Sequence, residues 1–254
     1  MITRVLLALF MVLYLNPHNT SNTKRLFSDE FNEDSLDLSS WSYELGNGCP
    51  NFCGWGNNEL QVYTKKNVST VNNQLVISAT KQGDNYYSGR ISTKDKFEFK
   101  YGTIEVKAQL PRGKGLWPAI WMLGHDIDIN TWPACGEIDI MEYVGKHPGE
   151  IHTTLHTPDS FGKSINTKIT SIETIENGFH VYKTKWDANQ IQFYIDDSLV
   201  YTFSPEFKDD KTWPFNKPFY LILNLAIGGS FGGPEVDDSI FPEEFIIDYV
   251  KVYQ

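Results

Sequence analysis

The chain has 254 residues and a formal charge of −10, with 14% aromatic residues and only three cysteines. That length supports one sizeable core and lies within the range that β-sandwiches occupy as single domains. The acidic balance argues against nucleic acid and against a polyanionic substrate, and suits a neutral polymer.

Arg4 followed by the apolar run 5–15 reads as the basic and apolar regions of a secretory signal peptide, the alternative being a buried N-terminal element. No small-x-small triplet marks a cleavage site between Asn16 and Lys24, and no Cys adjoins the run to carry a lipid anchor. Residues 1–24 are therefore expected to be a signal peptide and a disordered segment, and 25–254 one domain. Later segments fall short of the roughly 20 apolar residues of a membrane span. The expected product is secreted, extracellular or periplasmic, and monomeric.

Cys49 and Cys53 lie in a turn-rich loop, where an exported protein would form a small-loop disulfide. A zinc half-site is the alternative, but no second Cys pair completes it. Cys135 reads as a small buried hydrophobe. Asn72-Asn73 is a hairpin signal between the runs 68–71 and 75–78. Segment 101–110 alternates and should be a long strand, closed by the turn at 111–115. Segment 115–124 is nearly all apolar and reads as a core strand. Trp132, in the loop that follows, is a candidate platform for a sugar ring because loops carry function.

Gly136 to Tyr143 alternates acidic and large apolar residues, the pattern of a strand with one face buried and one wet. Glu137 and Asp139 then share a face, whereas strict alternation would send Glu142 into the core. A buried, unpaired carboxylate is expensive. A β-bulge near Ile140-Met141 would turn Glu142 back beside the other two acids. Three such neighbours cannot all stay ionised. A neutral acid beside an ionised carboxylate is the equipment of retaining glycoside hydrolysis; the plainer alternative is a solvated acidic strand.

Segment 151–156 alternates as well, placing His152, Thr154 and His156 on one face of a strand beside the acidic one. Zinc-protease spacing is absent from the sequence. Strands are expected at 179–187, 190–196, 198–203, 218–227 and 245–253. Asn224 is the polar side chain of an otherwise buried run and needs a partner, which a cleft would supply. Short strands with turns at steady intervals and no long 3.6-period segment point to an all-β antiparallel β-sandwich.

The segment Glu137-Ile-Asp-Ile-Met-Glu142 resembles the E-[IL]-D-x-x-E signature of glycoside hydrolase family 16, in the form with an extra residue found in its laminarinase-like (endo-β-1,3-glucanase) branch. Lichenase-type members carry E-x-D-x-E instead. The similarity extends from Phe27-Ser-Asp-Glu-Phe31 through Gly56-Asn-Asn-Glu-Leu-Gln61 and Tyr101-Gly-Thr-Ile-Glu-Val106 to Asp248-Tyr-Val-Lys-Val-Tyr253. The resemblance implies a β-jelly roll with a concave substrate cleft, and a catalytic domain over 25–254. It implies Glu137 as nucleophile, Asp139 as the residue that orients it, and Glu142 as general acid/base. It places Asn58, Arg90, Trp117 and Trp121 along the sugar, against the alternatives of a surface turn, a salt bridge and core packing. His156 resembles a position next to the acid/base residue. Asp248 resembles a ligand of a structural calcium, while no cofactor is expected in the chemistry. The implied function is a secreted retaining endo-β-1,3-glucanase acting on laminarin-like polysaccharide. Mixed-linkage glucan or agar-like galactan is the alternative substrate, and a lectin-like binding module the alternative class.

Overall fold

The computed structural model describes residues 23–254. In chain order the strands are β1 (Arg25–Asp29), β2 (Ser42–Tyr43), β3 (Gln61–Tyr63), β4 (Val68–Val71), β5 (Gln74–Gln82) and β6 (Asn85–Ser88). There follow β7 (Arg90–Ser92), β8 (Gly102–Gln109), β9 (Leu116–Gly124), β10 (Glu137–Tyr143), β11 (Glu150–His156) and β12 (Thr167–Ser171). The last are β13 (His180–Trp186), β14 (Ile191–Ile195), β15 (Ser198–Phe203), β16 (Phe219–Ile227) and β17 (Glu243–Tyr253). A single helical turn, α1 (Gly229–Gly232), follows β16.

The strands form two sheets. A ten-stranded sheet runs β15-β14-β13-β8-β17-β5-β6-β3, with β1 on β17 and β4 on β5. A seven-stranded sheet runs β12-β11-β10-β9-β16-β7-β2. Pairing is antiparallel except between β3 and β6. The fold is thus the all-β sandwich expected. Asn72 and Asn73 both take positive φ (53° and 59°), the backbone a two-residue hairpin between β4 and β5 requires.

The core lies between the sheets. Ile104, Val106 and Phe245 face Leu116, Ile120, Met122, Ile138, Leu221 and Leu223 in one buried cluster. Alternation puts the other residues of β9, β10 and β16 on the outer face of the seven-stranded sheet. There Leu123, Tyr220 and Ile222 form a second, smaller buried cluster with Cys135, which is free and buried as expected. This explains why β16 is buried along its whole length: its inner face meets the core and its outer face is roofed by loops.

At the chain's start, the signal-peptide reading lies outside the described residues. Lys24 differs from expectation. It was placed in the disordered segment, yet its N–H and C=O both pair with Gln254 (2.7 and 2.8 Å), extending the β1–β17 edge by one residue. Among the described residues no helix is long and apolar enough to cross a membrane.

Candidate active site

The site is built on β10. In its pairing with β11 the register breaks between Asp139 and Glu142, and against β9 it breaks between Asp139 and Met141. Ile140 and Met141 are both buried in the core, on the same side as Ile138 and Tyr143. This is the geometry of a bulge that spends one extra residue inward. Glu137, Asp139 and Glu142 pair with His156, Thr154 and His152, the three residues that share a face on β11. All three acids therefore emerge on the outer face of the seven-stranded sheet.

Across that face the register sets out transverse rows. One row is His152, Glu142, Ala119, Asn224 and Arg90, taken from β11, β10, β9, β16 and β7. Ala119 leaves a low floor between the acid and the amide. Trp121 lies in the next row, directly across from Asp139. The Trp117 indole N–H donates to Glu142 Oε1 at 3.0 Å, and that of Trp121 donates to Asn224 Oδ1 at 2.8 Å. Both tryptophans thus stand on the outer face, half-buried, with their nitrogens tied to the site.

Electrostatics follow from burial. Burial pushes Asp139 up to about 8. Burial and then the Asp139 charge push Glu142 up to about 8, against the pull of His156 and the Trp117 indole. Glu137 is held well above the ordinary carboxylate range by burial first and by Asp139 next, with His156 pulling the other way. The group shares protons: like charges this close cannot all ionise, and they titrate together.

His156 lies among the three acids. The resemblance sets it next to the acid/base residue; its charge reaches Glu142, and its Nε2 lies 3.3 Å from Asp139 Oδ2 and 3.6 Å from Glu137 Oε1. The antiparallel register is the reason, since it pairs His156 with Glu137 and leaves His152 opposite Glu142. One ligand atom each from Glu137, Asp139 and His156 lie within 4.8 Å of one another, the group of described residues compact enough to hold a metal ion. Trp132, 41% exposed, sits against His156 (centroids 5.7 Å apart) and edge-on to the half-exposed Phe161 (5.4 Å). It is the open aromatic face beside the acids.

The remaining sequence candidates are distributed as follows. Arg90 is a partner of Glu44 through Nε (2.5 Å) and also lies over the rings of Trp55 (4.3 Å) and Trp121 (5.0 Å), so the salt bridge and the cleft are one arrangement. Asn224 finds its partners in Trp121 and in the Tyr63 hydroxyl, which accepts from Nδ2 at 3.2 Å. Asn58 is not brought to the acids. It takes a positive φ in an exposed turn and its amide donates to Ser230 Oγ at 3.1 Å. Cys49 and Cys53 are joined by a disulfide.

Asp248 stands where the pairing of β17 with β8 slips between Ile247 and Tyr249, its carboxylate 2.9 Å from Lys107 Nζ. Its charge reaches Glu30, which pairs with Lys251 Nζ at 2.8 Å. The Asp248 carboxylate at this bulge is a hard oxygen donor of the kind calcium takes, and Lys107 supplies the counter-charge here.

The family resemblance implies a Glu or Gln along the cleft beside the Asn of this stretch, and Glu59, Gln61 and Tyr63 are the residues that turn inward here. Their spacing of two residues puts them on one side of the chain entering β3, and Gln61 and Tyr63 are fully buried. Sequence reading passed over Phe231, on α1, whose ring meets Trp117 (5.3 Å) and His152 (4.9 Å).

A β-sandwich with a sugar-sized aromatic surface around paired carboxylates defines a carbohydrate-active protein. Residues 56–249 match glycosyl hydrolases family 16, and the chain belongs to that family. A laminarinase from Flavobacterium sp. UMI-01 superposes with a TM-score of 0.90 and is 56% identical, over 91% of this chain and 100% of that one. A beta-glucanase of Rhodothermus marinus is 39% identical over 90% of this chain and 84% of its own length. A glucan endo-1,3-beta-glucosidase A1 of Niallia circulans is 38% identical over 90% of this chain, which spans 37% of that larger protein.

Proposed function

We propose that the protein is an endo-β-1,3-glucanase that hydrolyses laminarin-like glucan with retention of configuration. The observation that carries this is the bulge of β10, which sets Glu142 on the same face as Glu137 and Asp139. In the reading, Glu137 attacks the anomeric carbon while Glu142 gives its proton to the departing glycosidic oxygen. Glu142 then takes a proton from water as that water releases the sugar from Glu137. Asp139, the most buried of the three at 3% exposure and raised to about 8 by burial, takes up a proton the group shares and hydrogen-bonds the Glu137 anion with it. In a retaining pair the two carboxyls stand about 5–5.5 Å apart, the separation this reading requires of Glu137 and Glu142.

The named relatives support the β-1,3 linkage, and a neutral glucan suits the charge of −10. The deciding experiment incubates the protein with laminarin, lichenan and agarose, with Glu137→Gln as control. Laminari-oligosaccharides of retained anomeric configuration, absent from the control, are expected. Products from lichenan or agarose instead keep the mechanism and discard the linkage; binding without cleavage by the wild type makes the protein a lectin.

The same reading has the chain exported, in keeping with a disulfide, which persists in oxidising compartments. It has the enzyme act as a monomer, checked by light scattering, and hold a structural calcium through Asp248.

A further inference from the structure

We propose that Glu59 is a positioning residue of the substrate site, the anchor of a one-way hydrogen-bond chain that fixes the Trp121 indole. The chain runs from Trp121 Nε1 to Asn224 Oδ1 (2.8 Å), from Asn224 Nδ2 to the Tyr63 hydroxyl (3.2 Å), and from that hydroxyl to Glu59 Oε2 (3.1 Å). An indole N–H only donates and a carboxylate only accepts. With both ends so fixed, the two ambivalent links have one orientation left. The amide must turn its oxygen to the indole and its nitrogen to the phenol, and the phenol must point its proton at Glu59. Each bond polarises the next in the same sense.

Glu59 is placed as an anchor and not as a sugar ligand. It is 8% exposed, and its oxygens also accept from Gln61 Nε2 (2.6 Å) and Asn57 Nδ2 (3.3 Å). Burial keeps the Tyr63 phenol protonated, first by desolvation and next by the Glu59 charge, so it remains a donor. Gln61 Oε1 in turn accepts from the N–H of Ile227 at 2.7 Å, which pins this segment to the end of β16. Burial pushes the Glu59 carboxyl up, while the Arg90 guanidinium, stacked between Trp55 and Trp121, and the three donors pull it back toward the charged form.

The anchor also shapes the opposite wall. Gly229, at φ +77°, packs so closely that a Cβ would lie 2.9 Å from Asn57 O and 3.3 Å from Glu59 Cγ. The N–H of Ser230 donates to that same Asn57 carbonyl at 2.7 Å. This seats the turn that presents Phe231 to Trp117, whose indole holds Glu142. That turn thus rests on the Asn57 carbonyl and the Glu59 methylene, which Glu59→Gln and Tyr63→Phe leave in place.

The functional consequence rests on the glucanase reading: a sugar ring stacked on Trp121 feels the tilt of that indole, whereas the reacting bond over Glu137 and Glu142 does not. Tyr63→Phe removes the phenol link and keeps the ring. Glu59→Gln keeps the shape but sets an N–H₂ against donors. In each variant, the indole ¹⁵N–¹H resonance of Trp121, assigned with Trp121→Phe, is followed in sugar-free protein. KM and kcat are then measured on laminari-oligosaccharides of increasing length. The expected result is a moved Trp121 resonance and a KM raised about tenfold on the longer oligosaccharides, the size of one lost hydrogen bond to a charged group, with kcat changed less than about twofold. An unmoved resonance, or a moved one with unchanged KM, overturns the proposal. If Glu59→Gln does not fold, Tyr63→Phe decides alone. Should the wild type cleave no β-1,3-glucan, the glucanase reading fails by itself, while the resonance still decides whether Glu59 holds Trp121.

Discussion

Two sets of buried carboxylates sit at the seven-stranded sheet of this molecule, and they are treated in opposite ways. Glu59 is surrounded by donors, with Asn57, Gln61 and Tyr63 all giving it hydrogen bonds. Glu137, Asp139 and Glu142 are surrounded mainly by one another, with Trp117 bonded to Glu142, Trp132 pulling the Glu137 pKa down through its side chain against burial, and an imidazole between Glu137 and Asp139. A satisfied carboxylate holds its surroundings still; an unsatisfied one holds a proton it can exchange. The first arrangement stabilises a fold, while the second costs stability and makes proton transfer possible near neutral pH.

That contrast can be broken most forcefully at the catalytic acids. Glu137→Gln is expected to lower kcat on laminarin by roughly 10³-fold or more, read as reducing ends released, with the protein still folded. Activity near wild type would remove the acidic group from its central role.

Glu142→Gln should cost less, roughly 10²- to 10⁴-fold, and less still on aryl glucosides whose leaving group needs no proton. It also carries a sign that tests the comparison. Because the folded-state pKa of Glu142 is raised from 4.5 to about 8, the folded protein holds a proton that the unfolded chain releases across that window. Stability therefore falls as pH rises from about 4.5 to about 8. Calorimetry should show Glu142→Gln melting several degrees above wild type at pH 8, the difference closing below pH 4.5. The wild-type rate should decline above pH 8 as Glu142 loses its proton.

At the satisfied site the sign reverses. Asn224→Ala leaves the Trp121 indole and the Tyr63 hydroxyl short of a partner, so the melting temperature should fall, by about 1–3 kcal/mol of stability. An unchanged melting point would mean that the hydrogen-bond chain contributes nothing. The smallest effect is expected from chelation. EDTA should lower the melting temperature by a few degrees and calcium restore it, with kcat unchanged at assay temperature; indifference to both removes the calcium from Asp248.

Much of this was legible in the sequence, for identifiable reasons. Alternation gave the strands their places because one face of nearly every strand is core. The bulge was legible because strict alternation would have buried Glu142, and the energetic cost of that outcome points to its remedy. The partner of Asn224 was foreseeable as a need but not by name, since Tyr63 lies 161 positions away. Which acids His156 touches first was not legible, because register across the loop between β10 and β11 depends on backbone turns that composition does not reveal. Asn58 and Glu59 are neighbours, and choosing between them required knowing which one the turn exposes.

The bulge has one more consequence, which concerns parity. In a strand, every inserted or deleted residue normally inverts the facing of all that follows. Here Ile140 and Met141 both point inward, so the inversion is absorbed on the spot and the chain beyond keeps its facing. Deleting Met141 would leave Glu-Ile-Asp-Ile-Glu-Tyr, in which plain alternation again aims all three acids outward and Tyr143 inward. The strand can thus change length by one at this point without scrambling the sandwich beneath it. What changes is the spacing between the first acid and the last, so reach across the scissile bond can be altered independently of the fold.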